Sequence, residues 1–177
     1  MKPITEFLEK DHRRLDTLFA AAGRDAEIAL QPNGRFREGL LRHIGIEEKI
    51  LLPALAGKIG APLKLIEKLR LDHGALTNLF VPAPSREILN ALVAILAPHN
   101  RLEEEPGGFY DACELLLAAE AQALVARMRA APEVPLRPYS KRPEALEAAK
   151  RAMARAGFHW DEAAGKAAFQ SGRNVAT

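Results

Sequence analysis

Apolar residues recur at three- and four-residue steps along almost the whole chain, and no stretch alternates with the two-residue period of a strand. That periodicity confines the fold to packed helices. A first helix is expected from about Pro3 to Ala22, with Ile4, Phe7, Leu8, Leu15, Leu18 and Phe19 on one side and Gly23 as its stop. A second is expected from about Gly34 to Lys58, kinked or cut short at Pro53. A third runs from about Pro62 to Phe80, and Pro82 and Pro84 then force a break. Ser85 suits the N-cap of a fourth, which ends near Glu104 before Pro106-Gly107-Gly108. A fifth is expected from about Asp111 to Ala130.

Four prolines between Pro132 and Pro143 predict an extended linker, followed by a short helix from Pro143 to Ala156 with Gly157 as its stop. Phe158-His159-Trp160 is expected to dock on the bundle or on a second subunit, because a free apolar patch of that size is costly to expose. The chain thus divides into a helical bundle over residues 1–131 and a Pro-rich linker with a basic helical tail over 132–177.

The bundle contains a duplication. Asp11-His12-Arg13-Arg14-Leu15-Asp16-Thr17-Leu18-Phe19 and Asp72-His73-Gly74-Ala75-Leu76-Thr77-Asn78-Leu79-Phe80 share Asp, His, both Leu and Phe at matching places. His43-Ile44-Gly45-Ile46-Glu47-Glu48 and His99-Asn100-Arg101-Leu102-Glu103-Glu104 share the His and both Glu. Amphipathic helices share leucines trivially. Shared histidines are a stronger sign, since the whole chain has only five.

The positions of these histidines decide their chemistry. Residues i and i+4 of a helix lie on one face. His12 stands between Leu8 and Leu15, His73 between Leu69 and Leu76, and His99 between Ile95 and Leu102, while His43 follows Leu40 by three residues. All four therefore sit on apolar stripes, and Glu47 and Glu103 continue those stripes inward. A buried carboxylate is expensive unless it is paired, protonated or bound to a cation. One His–Glu pair at this spacing is ordinarily a surface hydrogen bond. Two pairs and two lone histidines, all inward and duplicated, are better explained by metal. The ligand set His12, His43, Glu47, His73, His99 and Glu103 holds no thiolate, so it suits iron, manganese or zinc. Two carboxylates among four histidines also suit two bridged metals. The His-x-x-x-Glu order differs from the Glu-x-x-His of ferritin-like bundles, and no His-Glu-x-x-His motif is present.

On these residues the chain resembles the hemerythrin-like, cation-binding (HHE) domain family over about residues 1–131. The resemblance implies an all-α fold, an antiparallel four-helix bundle with additional C-terminal helices here. It also implies a centre of two iron ions, oxygen-bridged, with manganese or zinc as alternatives. His12, His43, His73 and His99 would be terminal ligands, and Glu47 and Glu103 bridges. Oxygen carriers of the family use five histidines, and this pattern has four. With a bridging oxygen, roughly two of about twelve coordination positions would stay open. The four-histidine, two-glutamate set is similar to the di-iron proteins of nitrosative stress and iron–sulfur cluster repair.

The implied function is to bind or sense dioxygen, nitric oxide or peroxide. The alternatives are a di-iron enzyme, an iron donor for cluster repair, and an interaction protein with a structural metal site. Glu48, Glu104, Glu105 and Tyr110 lie close in sequence to the ligands. Each is expected to serve surface or ordinary packing, with a supporting partner or replacement ligand as the alternative. Asp11 and Asp72 precede His12 and His73 and offer supporting or capping groups, with surface or ordinary packing again the first expectation. His159 is a fifth ligand only if the tail folds back across the bundle mouth. Pro98, directly before His99, removes one helical hydrogen bond and either bends the helix at the site or is tolerated.

Charge and cysteine content bound the remaining classes. Residues 132–177 hold eight Lys/Arg, including Lys166 and Arg173, against five Asp/Glu. That excess is a weak nucleic-acid signal; a solvated surface, a protein partner of the tail or a homo-oligomer fits it better. The longest apolar run, Ala91–Ala97, is too short for a membrane span. Met1–Glu6 lacks the apolar core and cleavage site of a secretory signal. Cys113 is the single cysteine, expected to be a core residue in a reducing, cytoplasmic setting.

Overall fold

A computed structural model describes residues 2–165. Lys166 and Arg173 of the basic tail lie outside the described residues. Among those described, the chain is all-α: α1 (Pro3–Gly23), α2 (Leu30–Ile46), α3 (Leu52–Ala56), α4 (Leu63–Leu79), α5 (Arg86–Glu104), α6 (Phe109–Leu116), α7 (Ala121–Arg129), α8 (Pro143–Arg155) and α9 (Trp160–Gly165). A π-helical turn, Glu47–Leu51, joins α2 to α3.

Several boundaries follow the expected chemistry. Pro3 opens α1, where its missing N–H costs nothing. Ser85 caps α5 by accepting from the Ile88 N–H. Gly157 follows α8 at φ +87°, a conformation that strains any residue with a Cβ. Others differ. Gly23 is the last residue of α1 rather than a left-handed stop. The second helix begins at Leu30, ahead of the expected Gly34, because Pro32 is accepted in a first turn. Pro53 neither ends nor cuts that helix. Its missing N–H is absorbed by the π turn before it, and a further turn of α-helix follows. The expected fifth helix is two: Leu117 leaves helical geometry, and a 3₁₀ turn (Ala118–Glu120) separates α6 from α7. The break lets Phe109, Tyr110 and Cys113 of α6 and Leu124, Val125 and Met128 of α7 share one apolar cluster.

The core has two clusters. One gathers Leu15, Phe19, Phe36, Leu40, Leu76, Leu92 and Ile95. The other gathers Ile4, Leu8, Ile46, Leu51, Leu69, Phe109 and Tyr110. Helix α1 passes between them at His12, α2 at His43 and α4 at His73, while α5 runs from Ile95 in the first to Leu102 against the second across His99. The four histidines thus form a polar layer between two apolar ones, and each helix contributes one.

The C-terminal segment lies along the bundle. Residues 132–142 form no helix, in keeping with their prolines, and make one isolated bridge, Ser140 to Pro82. The Ser140 N–H donates to the Val81 carbonyl, and Asn33 Nδ2 donates to the Tyr139 hydroxyl. Helix α8 packs on α4 and α9 on α5, with Ala149, Met153 and Ala156 in the first cluster and Phe158 and Trp160 against it. His159 is exposed and joins neither cluster of buried histidines and glutamates.

Candidate metal centre

The four histidines and two glutamates on the apolar stripes are all brought together. All six are buried, and Glu47 and Glu103 are fully so. Their polar atoms fall into two groups. His12 Nε2 lies 3.0 Å from His43 Nε2 and 3.4 Å from Glu103 Oε2, and His43 Nε2 lies 3.4 Å from Glu47 Oε1. In the second group, His73 Nε2 lies 3.1 Å from Glu47 Oε2, and His99 Nε2 lies 3.2 Å from Glu103 Oε1. Each glutamate therefore presents one oxygen to each group. That is the disposition of a carboxylate bridging two cations.

Local structure explains the reach of each bridge. Glu47 stands where α2 passes into the π turn; its own N–H still bonds the His43 carbonyl, which keeps its side chain on the His43 face. Glu103 sits in the last turn of α5, which runs unbroken through Pro98.

The other ring nitrogens face outward, each to a carboxylate on a neighbouring helix. His43 Nδ1 lies 3.1 Å from Asp11, His73 Nδ1 lies 2.7 Å from Glu48, His99 Nδ1 lies 3.5 Å from Asp72, and His12 Nδ1 contacts Glu104. The four contacts close a ring: α1 supports α2, the π turn after α2 supports α4, α4 supports α5, and α5 supports α1. An ionised carboxylate only accepts, so the contacts of His12, His43 and His73 place the ring proton on Nδ1 and turn the Nε2 lone pair to the centre; His99 Nδ1 and Asp72 Oδ2 form an ion-pair contact without a hydrogen bond. Cations back three of the carboxylates: Arg14 on Asp11, Lys68 on Asp72 and Arg70 on Glu48.

Surface or ordinary packing is therefore the wrong reading for Asp11, Glu48, Asp72 and Glu104. Neighbours in sequence on a helix point apart. Asp11 cannot serve His12, but it can serve the next helix. The signal was present in the sequence, as an Asp before His12 and His73 and a second Glu after Glu47 and Glu103. Glu105, in contrast, is exposed and approaches only Arg101, 4.0 Å away. Tyr110 is also more than packing. It is buried, and its Oη lies 3.1 Å from His12 Nε2 and 3.3 Å from both Glu47 Oε1 and Glu103 Oε2.

The electrostatics of the centre call for positive charge. Burial alone would lower the His43 and His99 pKa values, but the carboxylates around them raise both to about 10. Burial alone would raise Glu47, but His43 and His73 hold it well below the usual carboxylate range. Burial, then Glu103 and Glu47, push the Tyr110 phenol well above its ordinary value. Protons shared between imidazoles and carboxylates thus balance the charge, and a cation can replace them. Hydrogen bonds within the protein leave Glu47 Oε2, Glu103 Oε1 and His73 Nε2 unsatisfied. Buried polar atoms without partners are rare and costly. All three point to the second group, where a metal ion would satisfy them together. The donor set, imidazole nitrogen and carboxylate oxygen without thiolate, suits iron, manganese or zinc.

Beside the centre, Leu15, Phe36, Leu40 and Leu96 join His12, His43 and His99 around a cavity of about 10 Å³, on the scale of one water molecule. Cys113 is buried and free, and burial raises its thiol pKa, so it is a core residue rather than a thiolate. Among the described residues, no helix is long and apolar enough to cross a membrane.

The model of the hemerythrin HHE cation binding domain matches residues 4–106. No curated protein and no solved structure matches the chain.

Proposed function

Because the chain belongs to the hemerythrin HHE cation-binding family, we propose that it is a non-haem di-iron protein that binds or senses dioxygen, nitric oxide or peroxide inside its bundle. The observation that carries this reading is the two-faced placement of Glu47 and Glu103, each with one oxygen toward His12 and His43 and the other toward His73 and His99. His12, His43, His73 and His99 would hold the two ions, with Glu47 and Glu103 as the carboxylates shared between them. Two irons supply reversible redox chemistry toward small oxygen and nitrogen ligands.

The protein supplies the rest. Asp11, Glu48 and Glu104 fix the tautomer and aim of their imidazoles, and Asp72 pairs with His99. Leu15, Phe36, Leu40 and Leu96, with Asp16 and Asn100, line a cavity beside the centre that is on the scale of one water molecule, where a small ligand would approach. The setting is a reducing cytoplasm, in keeping with the unbridged Cys113.

The test uses the full chain loaded with iron and titrated without air with nitric oxide, dioxygen or peroxide in turn. Reversible, stoichiometric spectral change with any of them supports binding or sensing. Many turnovers per chain support the enzyme reading instead. No response to any of the three refutes both.

A further inference from the structure

Tyr110 stands where the four-histidine pattern is short of a ligand. Neighbouring ligand atoms at right angles around a metal with bonds of about 2.1 Å lie about 3.0 Å apart. The contacts among His12, His43, Glu47 and Glu103 at the first group run from 3.0 to 3.4 Å. The Tyr110 oxygen continues that spacing, at 3.1 Å from His12 and 3.3 Å from each glutamate. A phenol has one proton to donate, and three polar atoms surround it at nearly equal distance. Hydrogen bonding accounts for at most two of these contacts, one proton donated to a glutamate and one bond accepted from His12 Nε2 where that nitrogen carries the proton. A shared cation accounts for all three.

We infer that Tyr110 is a protein ligand of the metal held by His12 and His43. This rests on the di-iron reading above. The phenolic proton leaves to solvent as its oxygen binds the cation. The first position then has five protein ligand atoms: His12 Nε2, His43 Nε2, Glu47 Oε1, Glu103 Oε2 and Tyr110 Oη. The second has four: His73 Nε2, His99 Nε2, Glu47 Oε2 and Glu103 Oε1. The two positions are thereby made unequal in their protein ligands.

Tyr110 lies just past residues 4–106, which the family model matches, and is delivered by the turn after α5. Gly107 is at φ +82°, and its N–H donates to Asp111, folding α6 back beside the end of α5. The Cβ of any other residue at Gly108 would stand 2.6 Å from the Leu102 carbonyl oxygen. Tyr110 follows in the first turn of α6, between Phe109 and the centre.

Iron(III) bound by a phenolate gives a visible charge-transfer band and enhanced phenolate ring modes in resonance Raman spectra. The chain has only one other tyrosine, Tyr139, whose hydroxyl is engaged by Asn33 and whose ring lies under Arg37, so the signal is assignable. The experiment compares the wild-type chain and Tyr110→Phe, both loaded with iron and oxidised, by iron content and resonance Raman. The expected result is phenolate modes in the wild type and their loss in Tyr110→Phe, with at least half of the iron retained. Iron in the wild type without phenolate modes overturns the assignment and leaves the di-iron reading standing. Modes that persist in Tyr110→Phe also overturn it. A wild-type chain that binds no iron overturns the proposed function and this assignment together.

Discussion

Replacing Asp11 probes whether the carboxylate ring governs metal affinity. Asp11 touches no candidate metal position. Its Oδ2 lies 3.1 Å from His43 Nδ1, its Oδ1 is 2.8 Å from Arg14, and its side chain is 12% exposed. Because it is largely shielded, its charge acts on His43 with little screening by solvent. His43 and Arg14 accordingly hold the Asp11 pKa below its ordinary value, although burial would raise it. Removing an outer partner of this kind costs about 10–100-fold in metal affinity, or about 1.4–2.7 kcal/mol. Asp11→Asn keeps an oxygen acceptor for Nδ1 and loses only the charge, so about tenfold is expected. Asp11→Ala loses both and is expected near the upper end. Glu48→Ala is expected to match it from the second position, through His73. Glu9→Ala, which removes an exposed ion pair with Arg13, is the control and should change nothing. Affinity is read by competition with a chromophoric chelator. If Asp11→Ala and Glu48→Ala both stay within about twofold of wild type, the ring does not tune the metal.

Further outcomes follow from the same geometry. Glu47→Ala removes a bridge from both positions, so metal content by elemental analysis should fall below one ion per chain; His43→Ala should lower it less, and both should lower the melting temperature of protein purified from iron-supplied cells. Metal uptake should release protons, because His43 and His99 titrate near 10 in the metal-free chain; affinity should therefore rise with pH from 7 toward 10, and chelators should strip the metal faster as pH falls. Both pKa values are raised above the ordinary 6.5, so their stabilisation of the metal-free fold is complete below about 6.5 and lost as pH rises through about 10; thermal melts of metal-free protein across that range should show the decline. Gly108→Ala forces a Cβ against backbone, 2.6 Å from one carbonyl oxygen and 2.8 Å from another; it should cost about 1–3 kcal/mol in denaturant unfolding and weaken the Tyr110 phenolate modes.

The inner residues were legible because a histidine on an apolar stripe has few physical justifications, and the duplication supplies the same anomaly twice. The outer carboxylates were harder to read, because sequence adjacency points to the wrong partner. Asp11 abuts His12 and serves His43; Glu104 abuts Glu103 and serves His12. Only the packing of neighbouring helices decides those pairings. Tyr110 stood only as an alternative ligand in the sequence, for a different reason. Its approach depends on the turn at 106–108, whose glycines announce a break but not the direction taken after it. The division of α6 from α7 left no mark in the periodicity either, since apolar residues continue on both sides of Leu117. The π turn at Glu47 is in the same class: Pro53 announces a disturbance, and the structure resolves it by widening the helix six residues earlier.

The most direct measurement is the metal content of the untagged chain purified from iron-supplied cells, by elemental analysis against protein concentration. Two iron ions per chain are expected, because Glu47 and Glu103 each offer one oxygen to each of two positions. One ion per chain, or none, would contradict the bridged centre and leave the inward histidines and glutamates as a buried network held together by protons.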